Sequence, residues 1–183
     1  MTEETKSPEK ILWEQEVLSD VTRIETLLAC GIFEPKNRRS PLVQSAFIEL
    51  MICLNDLLAK AKKETLRINF TDDVVISTGI KDVTDLVAVI RNAACHIPSQ
   101  TRYADDSENR IMFYTVYGRQ PAAFLFEKTG QILGCNYDDD IAFLYGNQKI
   151  YFQRHIRRAF AEVSEKLKPL VRYYQRPEQP PEP

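Results

Sequence analysis

A chain of 183 residues with a formal charge of −2 at neutral pH is long enough for one domain with a substantial core. The near balance of charge gives no global basic signature, so contact with nucleic acid would need a local patch. Four cysteines without Cys-x-x-Cys spacing, no apolar run of transmembrane length and no apolar segment behind a basic N-terminus predict reduced thiols, no membrane partner and a cytoplasmic setting.

Residues 1–6 are polar and are expected to be disordered. Ser7-Pro8 starts a helix, with serine as cap and proline at its first position. Ile11, Leu12, Val17, Leu18, Val21, Ile24, Leu27 and Leu28 carry it to Gly31, with Trp13 read as a core anchor. A connector with Lys36, Arg38 and Arg39 leads to Ser40-Pro41, the same start signal again. The second helix runs from Leu42 to about Lys63, and Ile48 and Ile52 widen its apolar surface to two sides. Thr65 to Phe70 alternates like a short strand, Thr71-Asp72-Asp73 signals a turn, and Val74 to Ile76 reads as a strand or a packed loop.

A third helix covers Lys81 to Ile97. Its apolar stripe is Val83, Leu86, Val87, Ile90, Ala93, Ala94 and Ile97, with Asp82 as cap, Asp85 as capping-box acid and Pro98 as stop. The opposite face carries small residues, Ala88, Asn92 and Cys95, flanked by Arg91 and His96. After Pro98 strand formers dominate. Arg110 to Tyr117, Ala123 to Glu127, Gln131 to Asn136 and Ile141 to Tyr145 are strand candidates, with turns at Lys128-Thr129-Gly130 and Gly146-Asn147. A last helix is expected from about Gln148–Ile150 through Phe152, Ile156, Phe160, Val163 and Leu167, followed by a disordered Pro-rich tail over residues 176–183.

Arg91-Asn92-Ala93-Ala94-Cys95-His96 resembles the R-x(4–6)-H signature of HEPN domains, in the form with a polar residue after the arginine. HEPN domains are small helical bundles, many of them dimeric, metal-independent endoribonucleases. The resemblance implies a mainly α fold, with residues 7–175 forming one HEPN-like helical domain, while the strand candidates, which lie outside the resemblance, are read as a small antiparallel β insertion at about 110–147. It also implies a homodimer with RNA as substrate, a toxin or phage-defence effector, and an antitoxin protein as a further partner. The alternative is a catalytically silent HEPN-like dimer that serves binding or assembly.

The chemistry of the residues is consistent with cleavage by 2′-hydroxyl attack. His96 is suited to taking the hydroxyl proton, because the unperturbed pKa of histidine is about 6.5. The planar fork of Arg91 can hold two phosphate oxygens, and Asn92 lies one turn before His96. On an ideal helix Arg91 and His96 point about 140° apart, so convergence needs a second copy of the helix. Arg154, Arg157 and Arg158 share a face of the last helix and are the candidate RNA-binding residues. The other reading of that face is a solvated surface partnered by acids such as Glu162. His155 reads as a surface residue. Asp138-Asp139-Asp140 reads as a turn, and with two histidines no metal site and no cofactor is expected.

Overall fold

The computed structural model describes residues 7–95, 113–126 and 130–171. The first helix, α1 (Pro8–Ala29), is capped by the Ser7 hydroxyl, which accepts from the Lys10 amide at 3.3 Å. Val17, Val21 and Ile24 are buried, whereas Ile11 and Leu12 near its start remain exposed. Trp13 packs half-buried against the core, with Lys10 Nζ 3.8 Å from its ring centre. Gly31 then turns the chain at φ +74, where a side chain would be strained. The connector holds a short 3₁₀ turn at Pro35–Asn37 before α2 (Leu42–Lys63).

Contrary to the expectation that no apolar run reaches transmembrane length, α2 is long and apolar enough to cross a membrane by length and composition, and in this fold it packs into the core. Phe47, Leu50, Met51, Leu54 and Leu57 are fully buried, and Ile48 and Ile52 are half-buried on a second side. Lys60 joins α2 to α1 through Asp20 at 3.1 Å. Residues 66–70 form a connector without a strand partner, and 74–76 form a loop that leads into a turn closed by a Ser77–Ile80 bridge.

α3 (Val83–Cys95) starts as expected at Asp82, whose Oδ1 accepts from the Asp85 amide at 3.1 Å. Asp85 reaches back to the Lys81 amide, one residue earlier than a capping box requires. Val83, Leu86, Val87, Ile90, Ala93 and Ala94 are buried. Ile97 and the Pro98 stop lie outside the described residues, as do the two termini, 110–112 and Lys128-Thr129.

Five antiparallel strands follow. They are β1 (Tyr114–Tyr117), β2 (Gln120–Phe126), β3 (Gln131–Cys135), β4 (Ile141–Tyr145) and β5 (Gln148–Tyr151). The order β1-β4-β5 makes one sheet, and β2-β3 makes a separate ribbon. Every residue of β4 is buried, because both faces of the sheet are covered. Ile141, Phe143 and Tyr145 join the core of the helices, with the Phe47 and Phe143 rings 4.3 Å apart. Ala142 and Leu144 point the other way, into a second cluster with Val116, Leu133, Cys135 and Tyr151.

This arrangement corrects the expected fold class. The protein is mixed α/β, not a mainly α, HEPN-like helical bundle with a small β insertion. The strands share the core of the helices, so they are structural members of the domain rather than an addition to a bundle. The start of the last helix is corrected too. Gln148–Tyr151 is a strand, joined to β4 by a tight turn with Gly146 at φ +55. A π-helical turn at Phe152–Arg157 then leads into α4 (Arg158–Leu167).

Candidate functional site

The exposed face of α3 follows from its sequence. With the apolar stripe directed into the core, Ala88 is left half-buried and Asn92 and Cys95 are exposed. Arg91 lies at the boundary. Its Nη1 donates to Asn92 Oδ1 at 3.2 Å, while its Nε is buried without a hydrogen-bond partner. No carboxylate pairs with Arg91 among the described residues. A guanidinium nitrogen left unpaired in a protein interior is costly and favours an added acceptor. Asn92 therefore braces the guanidinium. His96, the third member of the expected catalytic set, lies outside the described residues.

The other cations near the site candidates have partners. Arg154 donates to Asp139 at 3.0 Å and to Asp140 at 2.9 Å, and its guanidinium stacks 3.5 Å from the Tyr137 ring centre. Arg157 donates to the Leu28 carbonyl at 3.2 Å. Arg158 pairs with Asp72 at 2.8 Å and with Glu162 at 2.9 Å, and covers the Phe70 ring. A phosphate reaching Arg154 or Arg158 would compete with carboxylates already in place.

Two residues have roles that differ from those expected of them. Asp140 ends the acidic run and has a fully buried side chain. Its carboxylate accepts from the amides of Ile141, Gln153 and Arg154 and from Arg154 Nη1, so it caps the π-helical turn. Asp138 and Asp139 form the expected turn. His155 is 0% exposed, which overturns its reading as a surface residue. The signal was present in its spacing, since it lies three residues after Phe152 and four before Ala159, on the apolar stripe.

A cleft of about 410 Å³ opens between the end of α1 and the β3–β4 turn. Phe33, Ile141 and Phe152 line it, and Glu34, Asp138, Asp139 and Asp140 outnumber its one cation, Arg157, and make it acidic. Its charge is wrong for a phosphodiester, and neither Arg91 nor Asn92 lines it. No group of three metal-ligating side chains occurs among the described residues.

Comparison with protein-family models, curated proteins and solved structures gives no match to this chain. The functional argument therefore rests on the chemistry of its own side chains.

Proposed function

We propose that the chain is a metal-independent endoribonuclease that cleaves RNA by attack of a 2′-hydroxyl, as a toxin or phage-defence effector. In this reading Arg91 holds and neutralises the phosphate, Asn92 fixes the guanidinium, and His96 takes the hydroxyl proton. A homodimer brings two such sets into one cleft. The observation that carries the reading is the state of Arg91, whose Nε is buried and unpaired and whose charge meets no carboxylate among the described residues. Such a cation has capacity for an oxyanion that Arg67, Arg154 and Arg158 have already committed to carboxylates.

The test is cleavage of single-stranded RNA in excess EDTA by the purified protein. The upstream product should end in a 2′,3′-cyclic or 3′-phosphate, and DNA should be left intact. His96→Ala should cost about 100- to 10,000-fold in rate, the usual range for a lost general base. Arg91→Ala should cost a comparable factor, about 100- to 1,000-fold, for a lost oxyanion donor. Dependence on a divalent ion, or activity surviving His96→Ala, would refute the mechanism. Intact RNA with a stable dimer would favour the silent assembly module instead.

A further inference from the structure

The single buried histidine among the described residues joins two parts of the molecule. His155 lies in the π-helical turn between β5 and α4. Its Nδ1 accepts from the Tyr151 amide at 3.1 Å, and its Nε2 lies 2.9 Å from the Asp72 carbonyl. An amide can only donate and a carbonyl can only accept, so the ring is neutral and carries its proton on Nε2. Asp72 belongs to the 71–80 loop that leads into α3. The same loop is tied by the Asp72 carboxylate to Arg158 and by the Asp73 carboxylate to the Tyr137 hydroxyl at 2.8 Å. Just before it, Phe70 accepts from the Val83 amide at the first residue of α3, at 3.0 Å.

We propose that His155 is an acid-sensitive latch that holds the 71–80 loop, and with it the start of α3, against the β5–α4 junction. A proton taken up from solvent must go onto Nδ1, the only ring nitrogen that does not already carry one. The Tyr151 amide then faces an N–H and loses its acceptor, and an imidazolium charge stands in a site with no water contact. The ring can relieve both only by leaving the site, which breaks the bond to Asp72.

The charged groups around the ring are Asp72 and Asp73 from the loop, Asp140 from the β3–β4 turn, Lys149 from β5, and Arg154 and Arg158 on either side in its own segment. Burial pushes the imidazole below its usual range, and Lys149 acts in the same direction. The Asp72 carbonyl and the Asp73 and Asp140 carboxylates oppose this without overcoming it. The folded state thus binds the proton less readily than the unfolded chain. The latch is at full strength above about pH 6.5 and is lost as pH falls from there through the folded value. Because it concerns how the loop is held, the latch stands or falls independently of RNA cleavage.

Amide hydrogen exchange on the full chain between pH 7.5 and 4.5, corrected for intrinsic rates, reads the latch directly. Protection across residues 71–82 should fall roughly tenfold as the imidazole titrates, the effect of one lost buried hydrogen bond, while α2 stays protected. His155→Gln cannot titrate and should give a protection that no longer follows the imidazole's pH range. Nitrogen-15 spectra of the unmodified protein supply a reading that needs no variant, and should show the Nε2–H tautomer at neutral pH. An Nδ1–H tautomer, or an imidazole that titrates while protection of 71–82 stays constant, would overturn the proposal.

Discussion

Replacing Arg67 by alanine would remove the cation that pairs two carboxylates at the start of α3. Its Nε and Nη2 bond the two oxygens of Asp82 at 2.7 and 2.8 Å, and Nη2 also bonds Asp85 at 2.7 Å. The Asp82 side chain is only 8% exposed, so water cannot take over the arginine's role. Arg67→Ala should cost about 2 kcal/mol, the usual value of hydrogen bonds to a charged group, and Arg67→Lys should recover only part because it lacks the fork. Chemical unfolding measures both. Burial alone would raise the Asp85 carboxyl, but the bonds from Arg67 and the Lys81 amide, with the Arg67 charge, bring it below its usual value. A lowered acid stabilises the fold above its unfolded pKa of about 3.9. That contribution should disappear as pH falls through the folded value, and Arg67→Ala should flatten this part of the acid-stability curve. At the Cys53 thiol, burial pushes the pKa up to about 11, with the Glu49 charge adding to it, so a thiolate does not form near neutral pH. Alkylation of the folded protein should leave Cys53 unmodified until denaturant is added.

At the level of elements, the two-stranded ribbon depends on one glycine. A Cβ on Gly134 would fall 2.0 Å from the Gln120 carbonyl oxygen and 2.7 Å from Pro121, both of them backbone. The β2–β3 register shifts between Gln120 and Phe124, and Gly134 accommodates the irregular strand that crosses it. Gly134→Ala should therefore cost on the order of 3 kcal/mol, at the upper end of overpacking, with exchange protection lost first in β2 and β3. The helices were legible because α1, α2 and α3 carry a 3.6-residue stripe and α1 and α3 start after Ser7 and Asp82 as their caps, whereas α2 starts at Leu42 with Pro41, not Ser40, at the cap position. β4 was legible as an element but not in its importance. Its continuous apolar run Ile141–Tyr145 signals a strand covered on both faces, and that feature separates this mixed fold from a bundle with an insertion. β5 was misread because Ile150, Phe152 and Ile156 suit a helical stripe as well as a strand followed by a π-helical turn. No local signal places His155 next to Asp72, since the two lie 83 residues apart and only the packing brings them together.

For the molecule as a whole, the decisive matter is whether one copy can form the proposed site. Arg91 is braced by its neighbour Asn92, and five residues of ideal helix would direct His96 about 140° away from it. On that geometry one protomer would not aim both groups at a single phosphate, and the proposed cleavage needs a two-fold partner packed on the same face. Ala88, Asn92 and Cys95 are small enough to let a second backbone approach, and none of them is needed in the apolar core. Light scattering at micromolar concentration should give the mass of a dimer, and Ala88→Glu should shift it to a monomer. Cysteine chemistry gives a second measure on the unmodified protein. Cys30 and Cys95 are both exposed in the single chain. If the α3 face is the interface, Cys95 should become slower to alkylate than Cys30 as the concentration rises, and should regain its reactivity on dilution. A monomer throughout, with Cys95 reacting at the same rate at every concentration, would remove the composite site and with it the proposed cleavage mechanism.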